Sequence, residues 1–291
     1  MKKLGLATAL LLAMTGAQAY QYEVQGQSEY IDNTVNDHDF TGAVQGTYYF
    51  KNVDASKGPL AEAAFLNQAS NVSASYTYGE YDVDADQKDQ VSHTFGVKGE
   101  AYVPTQWVPA YASASYSHTI TDGKGGQKDD NGDRYALELG AVVAPNFLVA
   151  VGYTSVADQT SYDAFNMFNN GVAKAAIESK TIADDQDAIT ARTKYVGAID
   201  GTNMAIGFDA GLVYGDESAY NLGTTLYLNP KLSVGVSYLE SDFGDVDSAI
   251  GANVNYFITP AFAVGASFVD ANATESNHDT QTVGLNAKFR F

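Results

Sequence analysis

The chain has 291 residues with no cysteine, and its 35 acidic against 16 basic side chains give a net charge of −19. So acidic a surface repels nucleic-acid phosphates, and without thiols there is neither a disulfide framework nor a thiolate metal site. Twenty Tyr, 14 Phe and 27 Gly against 6 Pro suit aromatic girdles, close strand packing and few breaks.

The first residues have the form of an export leader: Lys2 and Lys3 are a basic head, 4–14 an apolar run, and Ala17-Gln18-Ala19 a small-x-small cleavage site. The reading is a signal peptide over 1–19 and one domain over 20–291, starting at Tyr20. Losing Lys2 and Lys3 makes the mature chain two units more negative than the full one. The apolar run is shorter than the roughly 20 residues of a spanning helix, and no later stretch approaches that length.

From residue 22 onward, apolar and polar residues alternate with period two, which puts them on opposite faces of a strand. About fourteen such strands are expected. The first seven are 22–31, 40–50, 68–78, 91–102, 110–118, 134–143 and 147–155. The second seven are 188–199, 203–214, 219–228, 232–240, 249–258, 262–269 and 280–291. A ten-residue strand tilted by about 40° spans roughly 25 Å of vertical height, which matches an outer-membrane apolar band. The predicted fold is therefore an all-β, antiparallel, up-and-down transmembrane barrel. Because an unpaired backbone group facing lipid costs several kcal/mol, strand 22–31 should close the cylinder against strand 280–291.

Connections alternate in character. Ala144-Pro145-Asn146, Asp200-Gly201-Thr202, Asn229-Pro230-Lys231 and Thr259-Pro260-Ala261 are tight turns, whereas 79–90, 121–133, 242–247 and 270–279 are longer and acidic. Short turns face the periplasm in this class, and the long loops face outward. Trp107, between Pro104 and Pro109, sits in a periplasmic turn where an indole suits the headgroup boundary.

Two connections break the pattern. Residues 51–67 are long and apolar for a periplasmic turn, and Pro59 followed by 60–66 looks like a short helix. Residues 158–187 are about three times as long as neighbouring loops and contain a second helix-prone run at 172–179. Folded inward, Gly58, Pro59, Leu60, Phe65 and Leu66 would plug the periplasmic mouth, and Tyr162, Phe165, Met167 and Phe168 the outer one. The lumen they narrow would be roughly 15 Å across if empty. The alternative is that both segments lie flat over the rims.

By alternation, the inward charges are Glu23, Glu29, Lys98, Glu100, Arg134, Glu138, Arg192, Lys194, Asp209, Lys288 and Arg290, with Glu100 and Glu138 placed to meet Arg134 and Arg192. Opposed charges across a lumen create a transverse field that screens solutes. They could equally serve as ion pairs that bind a wet interior together. Phe289 and the terminal Phe291 are assigned as the assembly signal for the barrel-assembly machinery.

The stretch TGAVQGTYYFKNVDASKGPLAEAAFLNQASNVSASYTY, residues 41–78, and YQYEVQGQSEY, residues 20–30, resemble the "putative porin" family of Gram-negative outer membranes. Within it, the likeness is greatest to a water-conducting member associated with carbapenem susceptibility. The resemblance runs over essentially the whole chain. It implies a channel for passive passage of water and small solutes, obstructed by inward-folded segments.

Other chemistry is poorly represented. Asp82-x-Asp84-x-Asp86 opens like a calcium loop, but Gln87 replaces the turn glycine and His93 the bidentate glutamate. The 123–126 glycine run is followed by acids rather than a helix, so it is no phosphate cradle. A hydrolase would need His118 with Ser117 and Asp122, or His278 with Asp279, and neither forms a recognisable motif. The expectation is a monomeric, non-enzymatic outer-membrane porin without cofactor or metal. Its partners would be membrane lipid, lipopolysaccharide, and water or very small solutes. The alternative is a closed structural or host-contact barrel with acidic binding loops.

Overall fold

The computed structural model describes residues 19–33, 37–82, 89–123, 129–158, 161–166, 168, 174–175, 177, 182, 185–242, 247–273 and 278–291. Most of the expected leader, Met167, and most of both Asp82-x-Asp84-x-Asp86 and the 123–126 glycine run lie outside them. In chain order the strands are β1 (Ala19–Asn33), β2 (Asp37–Asp54), β3 (Asn71–Asp82), β4 (Asp89–Val103), β5 (Ala110–Gly123), β6 (Asp130–Ala144) and β7 (Phe147–Asp158). They continue as β8 (Asp187–Ala198), β9 (Ala205–Tyr214), β10 (Ser218–Asn229), β11 (Leu232–Ser241), β12 (Asp247–Thr259), β13 (Phe262–Ala273) and β14 (His278–Arg290).

Each strand pairs antiparallel with its sequence neighbours, and β1 pairs with β14, so the sheet is a closed 14-stranded barrel. The seam runs in unbroken register from Glu23 opposite Arg290 to Asn33 opposite Thr280. Backbone bonds between Tyr22 and Phe291 extend it by one residue, at 2.9 and 3.0 Å. Closure satisfies the edges that an open sheet would leave in hydrocarbon.

Several strands run further than the alternation predicts. β2 reaches Asp54, β3 reaches Asp82 and β5 reaches Gly123, into stretches expected to be loop. These extensions are polar, and paired strands persist above an apolar band because hydrogen bonding does not depend on what the side chains contact. The four tight turns fall where expected, with Asn146 and Gly201 supplying left-handed backbone at φ 56° and 76°.

Side-chain parity sorts the wall. Leu139 and Leu285 are 68% and 66% exposed on the outer face, while Glu29 and Arg290, one strand face away, are 1% and 2% exposed. Aromatic residues collect at both outer margins. At the short-turn end Tyr22 stacks on Phe291 at 5.5 Å and Phe262 on Phe289 at 4.5 Å. Towards the long-loop end Tyr76 meets Phe95 at 5.0 Å and Tyr116 meets Tyr135 at 5.1 Å. An apolar band between two aromatic girdles is the exterior of an outer-membrane barrel.

The candidate functional site: an interior narrowed from both ends

After β2 the chain does not turn along the rim. Gly58, at φ 154°, brings Leu66 so close that a Cβ there would lie 2.8 Å from Leu66 Cδ1. Pro59 then leads into a 3-10 turn, Leu60–Glu62, and a single helical turn, α1 (Ala63–Leu66). Leu60 and Ala61 pack with Phe257 and Ala263 of β12 and β13. Phe65 packs with Tyr111, Val142 and Leu148 of β5 to β7, and with Leu66 against Val196, Ala205 and Tyr227 of β8 to β10. A ten-residue piece can touch strands on all these sides only from within the cylinder. The helix is thus present but split, and the rim alternative does not describe this segment.

Polar contacts hold the same piece. Leu60 N donates to the Pro230 carbonyl at 2.8 Å, and Arg290 Nη1 donates to the Leu60 carbonyl at 2.7 Å. Glu62 accepts from Tyr227 at 2.7 Å and pairs with Lys194 at 2.8 Å. The Lys194 ammonium also lies 5.2 Å from the Phe65 ring centroid. Burial works to raise the Glu62 carboxyl, but the charge and hydrogen bond of Lys194, the Tyr227 hydroxyl and, most weakly, Lys288 together hold it below its usual range.

The described residues of the 158–187 connection also lie inward. Ala164 accepts from Ser75 of β3 at 2.9 Å, and its N–H donates to Ser117 of β5 at 3.3 Å. Ser161 bonds Thr119 at 3.0 Å. Phe165 lies over Gly96 of β4, where a Cβ would come 3.0 Å from its ring. Phe168 packs with Ile31 and Ala43 of β1 and β2, Ile177 with Leu239, Ala249 and Val269 of β11 to β13, and Ile182 with Val156 and Val213 of β7 and β9. Tyr162 is partly buried, and its backbone N–H donates to the Thr119 hydroxyl at 3.2 Å.

Between the two segments remains a cavity of about 410 Å³. Ala61 and Glu62 bound it from one segment and Asn166 and Phe168 from the other.

Every inward charge expected from alternation lies on the interior face. Seven of them form two clusters. Arg192 of β8 bonds both Glu138 oxygens, at 2.8 and 3.0 Å, and reaches Glu100 at 4.0 Å. Lys98 pairs with Glu100 at 3.2 Å. The Tyr111 hydroxyl donates to Glu100 at 2.7 Å and accepts from Arg192 at 2.6 Å. Arg134 is not part of this cluster. It stands four residues along β6 from Glu138, opposite Ser117 and Val156, roughly 13 Å away at strand rise. The second cluster is Glu23 with Arg290 at 2.7 Å and Lys288 at 3.1 Å. Glu29 accepts from Gln27 at 2.6 Å and from Thr41 at 3.4 Å.

Sequence reasoning missed Glu62, Tyr111 and Tyr227 as site residues. Parity placed both tyrosines inward, but tyrosine is so common on barrel exteriors that only their positions could have singled them out. Glu62 was legible as the lone acid in an otherwise apolar helical run.

The Ser117–His118 arrangement does not form. Ser117 is buried on the interior face, whereas His118 points the other way and bonds Asp133 at 2.7 Å beside Tyr116. Adjacent residues of one strand face opposite sides, so the pair cannot share a proton. Trp107 is 90% exposed in its turn.

All 291 residues match the family model described as "Putative general bacterial porin". The chain belongs to this porin family. The porin is similar to the Acinetobacter baumannii outer membrane protein Omp33, whose crystal structure shares 53% identity at a TM-score of 0.70, covering 94% of this chain and 99% of that one. It has the same fold as the CymD monoaromatic hydrocarbon channel, at 11% identity and TM-score 0.59, covering 95% and 90%. The same holds for the Ralstonia pickettii toluene transporter TbuX, at 10% identity and TM-score 0.55, covering 94% and 90%. No curated protein matches the chain. Family and fold together make the porin an outer-membrane channel barrel.

Proposed function

We propose that this porin, exported by a leader ending at Ala19, passively conducts water and very small solutes through a lumen constricted at both ends. The observation that carries the reading is that segment 55–69 and the described residues of 161–182 lie inward and bound a polar cavity between them. General porins of 16 to 18 strands keep a wide aqueous channel, and a 14-stranded cylinder has less room before anything folds into it. With both segments seated, the passage suits water and molecules of a few heavy atoms.

The pore-lining charges act on what enters. The Arg192–Glu138–Glu100–Lys98 group on one wall and Glu23 with Lys288 on another present opposite signs to a passing dipole, which orders water and disfavours unpaired ions. The same pairs also fix the side chains that line the passage.

Swelling of protein-loaded liposomes in graded osmolytes tests the reading. Expected is swelling that falls off steeply with osmolyte size, together with a higher single-channel conductance after deletion of 58–66. An absence of swelling would favour the closed, host-contact barrel, and unchanged conductance in the deletion would remove the constriction.

A further inference from the structure

Asp209 of β9 stands opposite Lys194 of β8 in register, the arrangement in which oppositely charged cross-strand neighbours pair. They do not pair here. Lys194 turns to Glu62 at 2.8 Å and to the Phe65 ring, and among the described residues Asp209 has no ion-pair partner within 4.0 Å. Its carboxylate lies over Gly223 of β10, where a Cβ would collide with it, and lines the cavity. The other cations near the cavity are Lys288, paired with Glu23, Arg192, paired with Glu138, and Lys174, which donates to the Ser237 hydroxyl and acts on Asp209 only through space, without an ion-pair contact.

We infer that Asp209 is the binding point for small organic ammonium ions inside the barrel, and that the seated 55–69 segment creates this site by holding Lys194 on Glu62. Asn221 and Thr225 line the cavity beside Asp209 and offer neutral oxygen acceptors for the remaining ammonium hydrogens. Phe168 and Phe257 line other walls of the same cavity. One carboxylate among neutral donors suits a monovalent ion. A divalent one wants several carboxylate oxygens, and no group of three acidic or histidine ligands occurs among the described residues. Since Glu62 and Asp209 compete for one ammonium, occupancy of Asp209 and seating of the segment favour each other.

The inference rests on solutes reaching the cavity, as the proposed function requires. The probe is ethylammonium chloride, applied to the full-length protein in planar bilayers. Expected is a concentration-dependent block, weakened about tenfold by Asp209→Asn, the loss of one charge-assisted bond. Glu62→Gln should weaken it too, because Lys194 is then free to return to Asp209, and Lys194→Met should strengthen it. Asp209→Asn is nearly isosteric, so folding is not at issue. Block unaffected by Asp209→Asn overturns the site, and block unaffected by Glu62→Gln overturns its dependence on the segment. If the wild-type protein conducts nothing, the pore reading fails, and saturation-transfer NMR of ethylammonium on the detergent-solubilised protein decides the site alone. Signal lost in Asp209→Asn supports it, and equal signal in both proteins overturns it.

Discussion

Glu23 and Arg290 are 267 positions apart in the chain, yet face one another across the β1–β14 seam and share a 2.7 Å ion pair. The pair closes the cylinder and also grips the internal segment, since Arg290 donates to the Leu60 carbonyl and its guanidinium lies 4.6 Å from the Tyr20 ring and 4.7 Å from that of Phe257. Barrel closure and constriction thus share one side chain.

Arg290→Met is expected to destabilise the barrel by about 3–5 kcal/mol, because Glu23 stays buried with one of its two cations gone. Combining it with Glu23→Gln should recover part of that loss, since both charges are then removed. Urea unfolding in lipid vesicles measures both. A double variant no better than Arg290→Met would show that packing, not charge, is what Arg290 supplies.

Gly96 matters for space. A side chain there would meet Ala164 Cβ at 2.7 Å, too close for either to keep its place. Gly96→Val should therefore lift residues 164–165 off the wall at an overpacking cost of about 1–3 kcal/mol. Higher conductance with barrel stability lowered by no more than that cost is the expected outcome, and a fall in conductance would place Phe165 outside the passage.

Lys174 predicts a pH response. Burial pulls its ammonium down to about 8, against a weaker opposing influence from Asp209. In the detached segment its pKa would be about 10.4. Between those values the detached form binds more protons than the seated one, so docking strengthens as pH rises from about 8 to about 10 and is constant below. Protease protection of the 161–182 segment should rise over that window, and Lys174→Met should be protected equally at pH 7 and pH 10.

The outer face is tested by Leu285→Arg, expected to cost about 2–4 kcal/mol if the residue lies near the bilayer midplane. Asn286→Ser, one residue on, lines the cavity and should change conductance while leaving unfolding nearly unaltered. Equal destabilisation by both would contradict the assignment of faces.

Period-two alternation was enough to read the strand number, the antiparallel order, the closing seam and the inward face of the eleven charges assigned to the lumen. Each of these follows from local geometry repeated along the chain, because a strand's faces are fixed by residue spacing alone. The tight turns were legible for the same reason, in Pro, Gly and Asn at fixed positions. The partners inside the barrel were legible only in part: Glu100 and Glu138 meet Arg192 as expected, but not Arg134. Alternation puts Arg134, Arg192 and Lys194 on the interior, but strand tilt and stagger decide which acids they reach, so Arg192 took Glu138 and Arg134 did not. Lys194 faces Asp209 in register and is drawn away by Glu62 from a segment more than a hundred residues earlier. Periodicity cannot express that choice, since it arises only when a curved sheet closes around a piece of its own chain and several charges compete within one small volume.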